Sequence, residues 1–317
     1  MTEAIARRFQ RFAETEAKGR SPLYEALARG VATDPGMLAF LADLLPPKQQ
    51  PNLFLAAVRF VCGTRTNWDD FRTAFRTHED AIRVEMLNRR TQTNEPARCA
   101  TLLPVLARLP GPLALLEVGA SSGLCLLPDR YGYAYEGHEP FGPEPRFPCR
   151  ATEATPVPTK RPNIAWRAGI DLNPLDVRDD DNRTWLETLV WPDQPARLAR
   201  LRTAIAIART DPPRIVAGDL LTALPSLAAE APKDATLVVF HTAVLAYVTD
   251  PEARSAFVRD VRAANAVWIS NETPDVFPAI AANVSSPRPP GAFMLAVDGE
   301  PTAWADPHGA WIDWLAA

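Results

Sequence analysis

The spacing of hydrophobic residues changes near residue 100. Before that point apolar residues recur at helical spacing, as Ile5, Phe9 and Phe12 do, which is typical of one buried helix face. After it, short apolar runs such as LALLEV alternate with helical segments, which indicates β-α-β units and a mainly parallel sheet. The pattern predicts an all-helical N-terminal module over 1–100 and an α/β domain over 101–317 that ends in an antiparallel hairpin.

Residues 124–165 do not fit this alternation. They include the run PDRYGYAYEGHEPFGPEPRFP, in which the many prolines and glycines mark turns. We interpret the segment as an insertion between the first two strands of the α/β domain, and we expect it to carry a small hairpin.

Composition narrows the possible classes of protein. The chain has 317 residues, of which 47% are hydrophobic and 23% charged, which favours a folded protein with a substantial core. A net charge of −4 argues against nucleic acid as the partner. The four cysteines form neither a CxxC pair nor a zinc spacing with histidine, so no metal site is predicted. No apolar run reaches the roughly 20 residues that span a bilayer. We therefore expect a cytoplasmic protein with reduced thiols and no membrane contact.

The stretch LLEVGASSGL (115–124) carries the most specific signal. An apolar strand ends near Glu117, and Gly119 and Gly123 follow, so that a ligand can approach the backbone at the carboxyl end of the strand. A dinucleotide fingerprint is incomplete because Ser121 stands where the central glycine belongs, and no Walker lysine follows. The pattern Glu-x-Gly-x-x-x-Gly instead suits a phosphate-free ligand with a positive end, since a carboxylate can bind an ammonium group.

At these residues the chain resembles the class I, Rossmann-like methyltransferases that use S-adenosylmethionine. The resemblance implies an α/β sheet of the seven-stranded type, mainly parallel, with an antiparallel hairpin at its C-terminal end. It also implies that Asp171 binds the ribose hydroxyls and that Asp219 and Leu220 border the adenine. The cofactor-binding residues implied in this way are Glu117, Gly119, Ser121, Ser122, Gly123, Asp171, Asp219 and Leu220.

Asp171 lies unusually far along the chain from Glu117 for this motif. The insertion explains the distance, but it also contains two other acids, Glu136 and Glu139, and either remains an alternative ligand of the ribose.

The chain is also similar to the bacterial DUF2332 family over most of its length. That similarity strengthens the expected fold and cofactor and implies no particular methyl acceptor. A small molecule is the default, because no base-methylation motif follows the fourth strand. The similarity rests on GRSPLYEAL (19–27), TQTNEPARC (91–99), LLEVGASSGL (115–124), GIDLNPLDV (169–177), VWPDQPARLARL (190–201), VVFHTAVLAYV (238–248) and WISNE (268–272).

Polar residues at later strand ends are candidates for the catalytic side of the site. His241 follows the apolar run VVF, and because histidine side chains in general titrate near neutrality, it is a candidate base or orienting group. Tyr247 is a candidate for lining the same cleft, and Glu272 ends WISNE, where it can meet an amine or an arginine. Each also has a structural reading, as a hydrogen-bonded core histidine, a core tyrosine or an ion-pair partner.

A second group of polar residues is expected to face the acceptor. The segment QTNE directly precedes the α/β domain, where it either forms a solvated connector with a helix cap or folds over the cofactor. The substrate-facing residues predicted from these positions are Thr93, Asn94, Glu95 and Asn271.

Two other functions remain open at this point. The chain can be a binding or scaffold protein on a methyltransferase fold without turnover. It can also be a nicotinamide- or flavin-dependent oxidoreductase, although the missing central glycine counts against that reading. The sequence does not indicate the oligomeric state.

Overall fold

The computed structural model describes residues 2–92, 94–282 and 284–315 and has an α/β architecture, with a mostly parallel mixed sheet and many helices. The helices are α1 (Thr2–Phe12), α2 (Pro22–Val31), α3 (Pro35–Ala42), α4 (Pro51–Cys62), α5 (Trp68–Thr77), α6 (Glu79–Asn88), α7 (Cys99–Leu106), α8 (Asp180–Leu189), α9 (Pro195–Thr210), α10 (Leu220–Ala228), α11 (Pro251–Ala263) and α12 (Pro278–Ala282).

The chain divides into two compact units. The helical unit comprises Met1–Thr93 and Asp179–Ala199, and the sheet unit comprises Asn94–Arg178 and Arg200–Ala317. The helical unit thus ends a few residues before the expected boundary and takes in α8, which we had assigned to the α/β domain. The reason is packing: α8 lies against α4 and buries Trp185, whose ring is 5.6 Å from that of Phe60.

Every described strand belongs to the sheet unit and to one sheet, in the order β2-β3-β10-β9-β8-β7-β6-β1-β4-β5. The described residues thus form ten strands, which is more than the seven-stranded expectation. The strands are β1 (Leu113–Val118), β2 (Gly132–Tyr135), β3 (Arg146–Ala151), β4 (Ile164–Asp171), β5 (Arg214–Ala217), β6 (Thr236–Thr242), β7 (Val267–Glu272), β8 (Phe293–Val297), β9 (Glu300–Ala305) and β10 (Trp311–Trp314).

The centre of the sheet is a parallel block of five strands, β5-β4-β1-β6-β7. All six residues of β1 are buried, as expected for a central parallel strand covered on both faces. Within this block the strands follow in chain order from β1 outward to β4 and β5, and then to β6 and β7 on the other side of β1. In such sheets the carboxyl ends of the strands beside the central strand border a crevice that binds ligands.

The C-terminal antiparallel hairpin is confirmed, since β8 pairs antiparallel with β9 and β9 pairs antiparallel with β10. The small hairpin expected within 124–165 is confirmed only as one antiparallel bridge, between Tyr133 and Phe141. The two strands of this segment, β2 and β3, run parallel to each other, and β3 joins the main sheet beside β10. An aromatic cluster drives this arrangement, because Tyr131 and Tyr133 are fully buried with Phe147, and the rings of Tyr131 and Phe147 lie 5.2 Å apart.

One face of the parallel block carries the apolar core with α10 and α11. Leu116 and Val118 of β1 pack there with Val239, Phe257 and other buried apolar residues. Because successive side chains in a strand point to opposite faces, the residues between them face the other side. In the part of the chain that the structure describes, no helix is both long and apolar enough to cross a membrane.

Candidate functional site

A row of polar side chains lies at the carboxyl edge of four neighbouring strands. Glu117 of β1 is level with Gly169 of β4, and Asp171 follows two residues later on the same face. Thr242 of β6 is level with Asn271 of β7, and strand alternation puts both on the face of Glu117. The sheet therefore brings together residues from distant parts of the chain, including three that the sequence analysis selected.

The turn after β1 has the left-handed backbone that its glycines predict. Gly119 and Gly123 have φ values of +72° and +74°, and Ser121 between them has φ +52°, a region that non-glycine residues seldom adopt. The Ser121 amide donates a hydrogen bond of 2.7 Å to Asp171 Oδ2. Asp171 Oδ1 accepts another from the Asn173 amide at 2.8 Å. The predicted ribose ligand thus also holds the turn in place.

The two glycines make room for protein side chains. A Cβ atom on Gly119 would lie 2.3 Å from Val244 Cγ2, and one on Gly123 would lie 2.8 Å from Pro213 Cγ. Val244 belongs to the loop after β6, so this loop packs directly onto the first turn of the motif. A ligand that touches Gly119 must therefore share that backbone with Val244.

Asn94 fixes the rest of the turn from the segment that precedes α7. Its Nδ2 donates to the Ala120 carbonyl at 3.0 Å, and its Oδ1 accepts from Ser122 Oγ and from the Leu124 amide, both at 2.9 Å. Glu95 is also buried and caps the short helical turn that follows by accepting from the Ala97 amide. Thr93 lies outside the described residues.

Three buried side chains at this edge have atoms without a protein partner. Glu117 Oε2, Ser121 Oγ, and both Oδ1 and Nδ2 of Asn271 make no hydrogen bond within the described ranges. Buried polar groups almost always have a partner, and each exception calls for an explanation such as a bound ligand or water. These buried atoms are therefore the groups at this edge that a bound polar ligand or water would satisfy.

The environment of Glu117 disfavours its charged form. Burial is the main cause that raises the pKa of this carboxyl well above its ordinary value. Cys125 and Asp171 add to the rise in pKa, and the Arg98 guanidinium opposes it. Without a cationic ligand the side chain is therefore held as a neutral acid, and binding of an ammonium group would favour release of its proton.

Glu117→Gln should change how stability depends on pH. Because the folded pKa of Glu117 is raised, the unfolded state loses this proton first, at a pKa of about 4.3. The wild-type free energy of unfolding then falls as pH rises from the unfolded toward the folded pKa. At pH 8 the variant should therefore be more stable than wild type, by about 1.4 kcal/mol for each pH unit over which only the unfolded state of the wild type is ionised.

Urea unfolding of both proteins at pH 4 and pH 8 measures this difference. The stability gain of Glu117→Gln should largely disappear at pH 4, where wild-type Glu117 is protonated in the folded state and mostly protonated in the unfolded state. The same gain at both pH values would contradict the assignment of Glu117 as the cause.

His241 lies on the opposite face, inside the core, and is fully buried. The Trp268 indole donates to His241 Nε2 at 3.0 Å, so that nitrogen carries no proton. The proton is then on Nδ1, which donates to Glu272 Oε1 at 2.7 Å. With both ring nitrogens engaged, His241 takes the structural role that the sequence analysis left open rather than that of a base.

Glu272 has a second task beside orienting His241. Its Oε1 also accepts from the amides of Val244 and Leu245, at 2.8 Å and 2.9 Å. The carboxylate thus holds the start of the loop whose Val244 packs on Gly119. Glu272 Oε2 has no partner in the part of the chain described here.

The remaining predicted residues lie at the margin of the site. Tyr247 follows on the same loop and is 70% exposed, so it is not a core tyrosine. Asp219 is exposed at the end of β5 and caps α10 by accepting from the Leu221 amide, and Leu220 packs on the core. The alternative ribose ligands Glu136 and Glu139 are exposed after β2, the edge strand at the far side of the sheet.

A model for a bacterial protein family, described as an uncharacterised protein conserved in bacteria (DUF2332), matches residues 6–314. The chain belongs to the DUF2332 family. The resemblance to this family noted from the sequence is thus confirmed. No curated protein and no solved structure matches this DUF2332 chain.

Sequence reasoning missed one residue of the site in this DUF2332 protein. Arg98 is only 7% exposed, and its guanidinium donates to the Thr242 carbonyl and side chain and to the Pro307 carbonyl. It stands in TQTNEPARC, one of the segments that carry the family resemblance. Its position in the sequence could have indicated this role. Arg98 follows Glu95 by three residues, and in a helical turn residues three apart lie on the same side.

Proposed function

We propose that the protein binds S-adenosylmethionine and transfers its methyl group to a small-molecule acceptor. The observation that carries the proposal is a pair of acids, Glu117 and Asp171, at the carboxyl ends of two adjacent parallel strands and on one face. The strand order β5-β4-β1-β6-β7 supports a Rossmann-like arrangement, in which ligands bind at this edge. The turn with three left-handed residues, which begins directly after β1, supports the same reading.

The chemistry of the unpartnered atoms fits the amino-acid end of this cofactor. Glu117 offers a carboxyl oxygen to an ammonium group, and Ser121 and Asn271 add a hydroxyl and an amide. The backbone bonds of Asp171 hold its carboxylate at the strand end, where two ribose hydroxyls can donate to it. Asp219 and Leu220, at the end of β5, would border the adenine.

When bound, S-adenosylmethionine supplies a methyl group on a sulfonium, which is a good leaving group. The protein then needs mainly to orient the acceptor and exclude water, because orientation alone can supply much of the rate. This requirement agrees with a site in which His241 is committed to Trp268 and Glu272. We therefore assign no general base to this chain.

Calorimetric titration with S-adenosylmethionine and S-adenosylhomocysteine tests the proposal. Half-saturation is expected between about 1 μM and 1 mM, the usual range for enzyme substrates. Asp171→Asn should weaken both ligands at least about tenfold through the lost charged hydrogen bonds. Asp176→Asn, an exposed acid five positions later in the chain, is the matched control and should leave affinity unchanged. Thermal melts verify that each variant is folded, and NADH serves as the comparison ligand.

Absence of both heat and thermal stabilisation at about 1 mM ligand, the upper end of the usual substrate range, would contradict the proposal. Binding of NADH in place of S-adenosylmethionine would favour an oxidoreductase.

One observation favours a second function, a binding protein without turnover. Both candidate acid–base residues, His241 and Glu272, are engaged in hydrogen bonds of the core. Incubation with S-adenosylmethionine labelled in its methyl group and a pool of small-molecule extract separates the two functions. Transfer of label supports the methyltransferase, whereas tight binding without transfer supports the binding protein.

A further inference from the structure

Arg98 is a buried cation whose hydrogen-bond partners among the described residues are all neutral. Its Nε donates to the Pro307 carbonyl at 2.8 Å, and its Nη1 donates to the carbonyl and hydroxyl of Thr242 at 3.0 Å and 3.1 Å. All of these acceptors are neutral, and in the described ranges no carboxylate lies within ion-pair distance of the guanidinium. Arginine is almost never fully buried unless it is paired, so this position calls for an anion.

The guanidinium is also held in a defined direction. Its two anchors come from the end of β6 and from the turn between β9 and β10, and they engage Nε and Nη1. The Nη2 group of this planar fork makes no bond to a described residue, and a guanidinium fork matches a carboxylate well. The side chain is therefore preorganised to receive a carboxylate at its outer end.

A buried carboxyl group, that of Glu117, lies on the same face of the sheet as Thr242, to which Arg98 donates. Thr242 lies two residues beyond Phe240, the residue paired with Glu117. The side chains of Arg98 and Glu117 form no ion pair, and Glu117 Oε2 has no described partner. Asn271 is paired with Thr242 in the sheet, and both of its amide atoms are unpartnered in the described chain. A cation, an acid and a neutral amide thus lie on one face, at the carboxyl ends of the neighbouring strands β1, β6 and β7.

We propose that Arg98, Glu117 and Asn271 together bind the zwitterionic end of an α-amino acid, with Arg98 taking the carboxylate. Glu117 takes the ammonium group, and the Asn271 amide bonds to either. The inference rests on the proposed function, because S-adenosylmethionine carries such an end, and it deepens that function by naming Arg98 as the residue that recognises it. The zwitterion gives each buried charge a partner, which offsets the cost of keeping both away from water.

Three probes dissect this site by calorimetry. S-adenosylhomocysteine carries both the nucleoside and the amino-acid end, 5′-methylthioadenosine carries only the nucleoside, and L-methionine carries only the amino-acid end. The wild-type protein should bind S-adenosylhomocysteine at least about tenfold more tightly than 5′-methylthioadenosine, because only the former makes charged hydrogen bonds to Arg98 and Glu117.

Two conservative variants test the residues separately. Arg98→Lys keeps the positive charge but loses the planar fork, and Glu117→Gln keeps the shape but loses the negative charge. Each should reduce the preference for S-adenosylhomocysteine at least about fivefold and leave the affinity for 5′-methylthioadenosine unchanged. Glu300→Gln, an exposed acid at the start of β9, is the control and should keep the full preference. An unchanged affinity for 5′-methylthioadenosine also demonstrates that a variant is folded.

The outcomes separate this inference from the proposed function. Equal affinity for S-adenosylhomocysteine and 5′-methylthioadenosine would overturn the zwitterion site while leaving nucleoside binding intact. Binding of L-methionine without either nucleoside would support the zwitterion site and contradict the proposed cofactor. Failure of all three probes to bind would overturn both.

Discussion

Replacing Glu272 with alanine is expected to lower the free energy of unfolding by about 3–5 kcal/mol, since several buried hydrogen bonds to one charged group are lost together. Its Oε1 accepts from His241 Nδ1 and from the amides of Val244 and Leu245 at distances between 2.7 Å and 2.9 Å. In the variant all three donors are left without this acceptor inside the core. The loop that carries Val244 would also lose its main anchor above Gly119.

Urea unfolding followed by tryptophan fluorescence measures this effect, because Trp268 contacts His241 in the same network. Glu272→Gln retains an accepting oxygen and the side-chain volume, so its loss should be roughly half as large. Glu300→Ala removes an exposed carboxylate from the start of β9 and is the control, with an expected change within about 0.5 kcal/mol.

Amide hydrogen exchange measures the local effect of Glu272→Ala. The Val244 and Leu245 amides should exchange faster in Glu272→Ala, because their acceptor is gone. A variant with wild-type stability and wild-type exchange at these amides would contradict the anchoring role of Glu272.

Asn94→Ala is expected to produce the second large loss, about 2–4 kcal/mol, because it leaves buried donors and an acceptor of the motif turn unsatisfied. The Asn94 side chain makes one bond to the Ala120 carbonyl and accepts from Ser122 and Leu124. No neighbouring side chain has to move for alanine to fit, so the loss reports these hydrogen bonds and not steric strain.

The matched control is Asn163→Ala, which removes an exposed asparagine side chain that makes no hydrogen bond in the described part of the sheet unit. Its free energy of unfolding should stay within about 0.5 kcal/mol of wild type. If the two variants were equally stable, Asn94 would not be the residue that holds the turn. Faster exchange at the Leu124 amide in Asn94→Ala alone would support the assignment.

The local features of the site were readable from the sequence because each depends on a few neighbouring residues. The apolar run LALLEV became β1, and the small residues after it formed a turn with positive φ at Gly119 and Gly123. The run ending at Asp171 became β4, which put this acid beside Glu117 in the parallel block. Alternating strand and helix patterns also indicated the mostly parallel sheet.

For several segments the sequence did not indicate which part of the chain they would pack or pair with. The tyrosine-rich insertion contained strands, but its period did not reveal that they run parallel and that β3 joins β10. The segment around Trp185 was assigned to the α/β domain, whereas its helix α8 belongs to the helical unit. In each case the hydrophobic pattern of the segment indicates which of its residues are buried. It does not indicate which distant part of the chain packs against them.

By itself the sequence determined that an apolar strand ends near the acid Glu117 and that a turn of small residues follows it. Only the tertiary structure decided which polar groups are satisfied. It gave His241 partners in Trp268 and Glu272, and it brought Arg98 to Thr242, which lies 144 positions later in the chain. The physical reason is that hydrophobic periodicity indicates only which face of a single segment is buried. A buried hydrogen bond joins two groups that can lie far apart along the chain, and no sequence pattern indicates which two groups will meet.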